Sequence, residues 1–263
     1  MFHWSLSLIG ALGAQALLGT ISPHIGYVNR LTFLASFLTL AAAVLLVAYY
    51  TPKCSRQLCL GIIFGAICVL AGLNVSDVEV RGSMGAALVG AVLLTASCAA
   101  GGYAGHRIEQ PGHLLLVALL SSVLDVASVF GRYGVTAQVV ARPEMLSLLA
   151  ISWPMLGSRD YVPMLGFGDL AITSLYLSAT RRTGLRHVRS LCSLGLGYVA
   201  VAVALVRFEI PMPALPFLGL AMLLGQPAAR ALPPQDRRVG ITGLLLAAMG
   251  CTALMWWTLC ESR

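Results

Sequence analysis

Apolar residues run along this chain in long blocks separated by short polar connections. Crossing a bilayer as a helix takes about 20 mainly apolar residues. Nine stretches meet that measure, at about 4–22, 31–50, 58–74, 84–103, 113–130, 162–179, 190–207, 212–229 and 239–259. The pattern predicts an all-α, polytopic membrane helix bundle of about nine transmembrane helices, hence an integral, multi-pass membrane protein. The first block, Met1 to Gly19, has no Lys or Arg ahead of it and reads as a spanning helix rather than a cleaved signal peptide. No soluble domain is left once the apolar blocks are removed, and no internal repeat stands out. The longest connection, Gly131 to Tyr161, holds a moderately apolar stretch from Met145 to Leu156, bracketed by Pro143 and Pro154. It is too short to span, so an interfacial helix or a strand near the membrane surface is expected there.

Composition agrees with the pattern. Hydrophobic residues make up 58% of the chain and charged residues only 10%, against about a quarter charged in soluble domains. The net charge of +7 comes almost wholly from arginine, placed in the connections as befits loops beside phospholipid headgroups. Basic residues fall on both sides of the predicted spans, with a small excess on the side of the N-terminus. They form no single solvated face with interleaved aromatics, which argues against nucleic acid as a partner. The seven cysteines are scattered, mostly inside apolar blocks, and make no disulfide framework. His3, His24, His106, His113 and His187 lack metal-ligand spacing, so neither metal nor cofactor is expected. Trp4, Trp153, Trp256 and Trp257 lie near predicted span ends, where tryptophan anchors at the interface.

The acids are more informative. Asp77, Glu79, Glu109, Glu144, Asp160, Glu209, Asp236 and Glu261 fall in connections or at helix ends, and only Asp125 and Asp169 are embedded in apolar spans. A carboxylate in hydrocarbon costs several kcal/mol or more, so such residues usually face a bundle interior and serve a function. Asp125 lies near the end of the fifth predicted span and Asp169 soon after the start of the sixth. Antiparallel succession would bring both to a similar depth near one membrane face. Ser121, Ser122 and Ser128 share the helical face of Asp125, and Thr173 and Tyr176 share that of Asp169. Two carboxylates in contact share one proton, leaving one base to activate water and one acid to polarise a peptide carbonyl.

Around Asp169 the chain reads Gly166-Phe167-Gly168-Asp169, a GxGD motif, and the eighth span opens Pro211-Met212-Pro213-Ala214-Leu215-Pro216. In this respect the chain resembles the presenilin and signal peptide peptidase family of intramembrane aspartyl proteases. That family carries an Asp in one helix, GxGD in the next, and Pro-Ala-Leu two helices further on. The Pro-Ala-Leu-Pro form is closer to presenilin-like microbial homologues. The resemblance covers residues 113–229, leaving 1–112 as about four N-terminal helices and 230–263 as an extra C-terminal helix. It implies that Asp125 and Asp169 are the catalytic pair, that Gly166, Phe167 and Gly168 shape the site, and that Pro213, Ala214 and Leu215 engage substrate. The implied reaction is hydrolysis of a peptide bond within a transmembrane protein or peptide, in the lipid bilayer; accessory subunits are not implied either way. The chain differs from the family in Leu124, where a tyrosine usually precedes the first aspartate, and in having four predicted spans before that helix instead of five.

Prolines 213 and 216 also suit an ordinary helix start. Closely placed, they would leave main-chain groups exposed beside a cavity, able to hold an unwound substrate segment as an added strand, with Met145–Leu156 as a contributor. Three other readings keep the same acids. A prepilin peptidase-like enzyme also uses GxGD, but Leu170-Ala171-Ile172 follows here where those enzymes usually carry a lysine, and they have no Pro-Ala-Leu helix. A transporter or proton relay would use the acids as an ion site without needing them adjacent. A catalytically silent homologue would bind membrane segments only.

Overall fold

The computed structural model describes residues 2–25, 28–51, 55–75, 83–131, 134–232 and 234–260. Among these, eleven α-helices follow one another: α1 (Phe2–Ile21), α2 (Arg30–Tyr50), α3 (Arg56–Val75), α4 (Ser83–Gly105), α5 (His113–Phe130), α6 (Val135–Val140), α7 (Pro143–Leu149), α8 (Phe167–Arg182), α9 (His187–Phe208), α10 (Leu215–Gly225) and α11 (Pro234–Cys260). Strands β1 (Ala150–Pro154) and β2 (Tyr161–Gly166) lie between α7 and α8. Asp77, Glu79 and Glu261 fall outside the described residues.

Each of the nine apolar stretches carries a helix, and among the described residues five helices are long and apolar enough to cross a membrane: His3–His24, Arg30–Tyr50, Gly85–Gly105, His113–Phe130 and His187–Phe208. Two of the remaining stretches differ from the expected spans, for separate reasons. The stretch 162–179 divides into strand β2 and the 16-residue α8. Within α8, Thr173, Ser174, Ser178 and Thr180 are all fully buried, so their hydroxyls sit in protein rather than lipid. The stretch 212–229 reduces to the eleven residues of α10, about 16 Å of helix against a hydrocarbon core of about 30 Å.

The described chain forms two compact units, residues 1–107 with 144–178, and residues 108–143 with 179–263. In the first unit, α1, α2 and α4 pack around β1. The stretch from Met145 to Leu156 is thus both helix and strand: α7 runs into β1, which pairs antiparallel with β2 from Ala150↔Gly166 to Pro154↔Tyr161, with a bulge between Ile151 and Ser152. Strand edges need partners for their backbone groups, and here helices supply them. Gln15, itself buried, donates from Nε2 to the Ser152 carbonyl at 2.8 Å. Ser36 Oγ accepts from the Leu156 amide at 2.9 Å, and Ser22 Oγ donates toward the Met155 and Ser158 carbonyls. Trp153 corrects the expectation of an interfacial anchor. Its ring is buried, with Nε1 donating to Thr39 Oγ1 at 3.0 Å, so it fixes the strand to α2 as core.

The same unit holds α8 against α4 by backbone proximity. A Cβ placed on Gly101 would come within 2.0 Å of the Ala171 carbonyl oxygen, a distance only glycine permits. Ser174 Oγ donates to the Cys98 carbonyl one turn along, at 3.0 Å. In the second unit, α10 packs against both α5 and α9. Gly219 faces Ala118, where an added Cβ would meet the Ala118 Cβ at 3.1 Å. Gln226 Nε2, buried, donates to the Arg186 carbonyl and to Ser190 Oγ, tying the end of α10 to the start of α9. Small residues at such crossings are what helix packing in lipid requires, because van der Waals contact replaces the hydrophobic effect there.

Candidate active site

Asp169 stands in the first turn of α8, two residues after its first helical residue, Phe167. β2 ends at Gly166, so the GxGD motif straddles a strand-to-helix junction. The first amides of a helix have no intrahelical acceptor, and an acid in the third position can reach back to the residue before the helix, as half of a capping box. That contact is present: the Gly166 amide donates to Asp169 Oδ2 at 3.2 Å. A side chain on Gly166 would lie 3.7 Å from the same oxygen, and Gly168 opens on empty space. The two glycines therefore leave the carboxylate lightly covered. Asp169 is half-buried, Gly168 exposed, and Leu170 on the other side fully buried. Thr173 Oγ1 donates to the Asp169 carbonyl, not to its carboxylate, at 2.7 Å.

Asp125, also half-buried, lies in the second unit on α5. Its partner comes from 90 residues away: the Leu215 amide donates to Asp125 Oδ2 at 2.9 Å, with the Ala214 amide beside it. Ala214 precedes α10 and Leu215 is its first residue. Pro211, Pro213 and Pro216 offer no N–H, so apart from Met212 the segment has only the amides of Ala214 and Leu215 to give. The N-terminus of a helix favours an anion through its free N–H groups and its dipole, and α5 supplies that anion to α10. Pro213, Ala214 and Leu215 are all buried. The contact between Ala118 and Gly219, earlier in α5 but later in α10, shows that the two helices run antiparallel.

Of the residues predicted to form a site, Asp125 meets Ala214 and Leu215, and Asp169 meets Gly166. The two aspartates belong to different units. The neighbouring hydroxyls are arranged differently from the expected polar stripe. Ser121 and Ser122 both donate to the Ala118 carbonyl of their own helix, a local bond that serine readily makes in a helix. Ser128 Oγ instead accepts from the Thr136 amide at 2.9 Å and pairs with Thr136 Oγ1 at 2.7 Å, which fastens α6 one turn beyond Asp125. The chain bends there at Gly134, where an added Cβ would collide with the Ser128 carbonyl. Leu124, in the position that usually holds tyrosine in the family resembled, is half exposed at 51%.

Two features escaped sequence reasoning. One is the role of Ala214 and Leu215 as main-chain donors; the run of prolines around them was the available signal. The other is the Ser128–Thr136 clasp, which no spacing rule announces because it closes across a turn. Comparison with protein-family models, with curated proteins and with solved structures finds no match to this chain.

Proposed function

We propose that this chain is a multi-pass membrane protease, with about nine membrane helices, that hydrolyses peptide bonds within transmembrane segments using Asp125, Asp169 and a water molecule. The observation that carries the reading is the hydrogen bond from the Leu215 amide to Asp125. It joins two of the three sequence features of the presenilin-like pattern, which lie far apart along the chain. The third, GxGD, presents its carboxylate at an uncrowded helix start. In this reading the two acids share one proton; one draws a proton from water as the other polarises the scissile carbonyl. The amides of Gly166, Ala214 and Leu215 orient the carboxylates, and the strand β2 ahead of Asp169 offers an extended edge to an unwound substrate.

The same hydrogen bonds also suit carboxylates that merely cap helices, and asparagine separates the two roles. It keeps an acceptor oxygen for the amide but cannot exchange a proton. Purified protein is given a single-span substrate in liposomes, as wild type, Asp125→Asn and Asp169→Asn. The protease reading requires cleavage by wild type and a fall of about 10²–10⁴-fold in each variant, with melting temperature close to wild type. Cleavage that persists in either variant rejects the pair. A wild type silent on several substrates, but conducting protons in a manner lost in both variants, would replace the protease with a relay. A second measurement is independent of substrate: cysteines at 125 and 169 should cross-link through a short bifunctional reagent, because a shared water demands proximity that a relay does not.

A further inference from the structure

Beyond the aspartates, the second unit contains a cleft of about 420 Å³ between the starts of α5 and α11. Leu115, Leu116 and Leu119 of α5 and Ile241 of α11 form its walls, with Arg230 and Arg237 among its lining. His113 meets Asp236, Nε2 to Oδ2 at 3.0 Å, and Leu116 meets Gly240. The two helices therefore run side by side in the same direction, both starting at the cleft.

The charges there are unbalanced. Asp236, the acid next to Arg237 in sequence, is engaged by His113. Arg237 is exposed and makes no ion pair or hydrogen bond among the described residues. Arg230 spends Nε and one terminal nitrogen on the Leu223 and Leu224 carbonyls, at 2.8 and 2.9 Å, which closes the C-terminal end of α10 and fixes the guanidinium in place. No carboxylate pairs with it among the described residues. Away from the arginines, an apolar row leads along α11: Ile241, Leu245 and Met249 recur every four residues on one face, and are 44%, 57% and 64% exposed. On α5, Leu119 is 37% exposed at the matching level. Cationic groups at one end and an open hydrocarbon track at the other match an amphiphile with an anionic head.

We propose that this cleft binds an anionic phospholipid, its phosphate against Arg230 and Arg237 and one acyl chain along Leu119 and the Ile241–Leu245–Met249 row. Basic pockets between membrane helices favour such headgroups, and each arginine near the surface contributes about fivefold in affinity. A zwitterionic lipid brings its own cation and gains less. The inference is independent of the proteolytic reading, since it rests on a different surface and its test involves no cleavage.

The test is native mass spectrometry of the full chain in detergent, titrated with phosphatidylglycerol or with phosphatidylcholine of identical acyl chains. Wild type is expected to bind phosphatidylglycerol at least about fivefold more tightly. Arg237→Gln should remove about fivefold of that preference and leave phosphatidylcholine binding as it was. Arg237→Lys, which keeps the charge, should retain the preference, as should Arg238→Gln, an exposed neighbour that does not line the cleft. Equal binding of the two lipids by wild type overturns the proposal without any variant. Loss of preference in Arg238→Gln equal to that in Arg237→Gln would mean diffuse surface charge, and loss in Arg237→Lys would mean packing; either overturns it. Displacement of the lipid by millimolar inorganic phosphate would make the cleft a small-anion site and likewise refute the lipid assignment.

Discussion

Asp125 and Asp169 have the same kind of partner obtained in opposite ways. In each, Oδ2 accepts a backbone amide at the start of a helix. The amide that serves Asp169 lies three residues before it, so the arrangement assembles whenever the strand-to-helix junction forms. The amide that serves Asp125 lies 90 residues away and exists only if α5 and α10 are packed. One carboxylate is part of a local motif, and the other reports on tertiary structure. Losing the side chain at 169 should disturb one turn of helix; losing it at 125 should loosen the seating of α10.

The largest effect expected is on activity, where the two sites should behave alike. Asp125→Asn and Asp169→Asn should each lower substrate cleavage by about 10²–10⁴-fold, and the double variant should lose little more, since groups that act as a unit are not additive. A double variant that multiplies the two losses would break the likeness. Next comes the scaffold of α8. Gly101→Ala forces a Cβ into the Ala171 carbonyl and should cost about 1–3 kcal/mol, seen as a lower melting temperature in detergent. Gly219→Ala meets the Ala118 Cβ at a milder 3.1 Å and should cost less.

The contrast between the aspartates sharpens with alanine. Capping interactions are worth about 0.5–2 kcal/mol. Asp125→Ala should fall toward the upper end, because it leaves buried amides of a packed helix without an acceptor, and Asp169→Ala toward the lower end, because its cap is local and half open to its surroundings. Hydrogen exchange should then quicken in α10 for the first variant and in the first turn of α8 for the second. Equal losses, or exchange confined to α5 in the first variant, would show that the long-range hydrogen bond does not hold α10. The smallest effect belongs to Trp153→Phe, which keeps the ring's bulk and removes one hydrogen bond to Thr39, worth about 0.5–1.5 kcal/mol.

Much of this was legible in the residue pattern. The nine apolar blocks each carry a helix, and Asp125 and Asp169 stood apart as the acids embedded in them. What the pattern misjudged has a common physical source. Hydropathy records how apolar a segment is, not whether its polar groups face lipid or protein. α8, with Thr173, Ser174, Ser178 and Thr180 fully buried, and the short α10 therefore passed for spans of ordinary kind. Trp153 was misplaced for the same reason: its position near a block end suggested an interface, while its Nε1 partner on α2 lies 114 residues away.

The sequence by itself determined the helical, membrane-suited character of the chain, because some 20 apolar residues in a row have few other destinations. It also determined the local cap of Asp169, because the acid and its amide are close along the chain. Only the tertiary structure decided that the amide of Leu215 belongs to Asp125, that glycine is required at Gly101, and that β1 and the turn after it find partners in Gln15, Thr39 and Ser36. Those choices depend on which backbones come within hydrogen-bonding distance after packing, and separation along the chain carries no information about that.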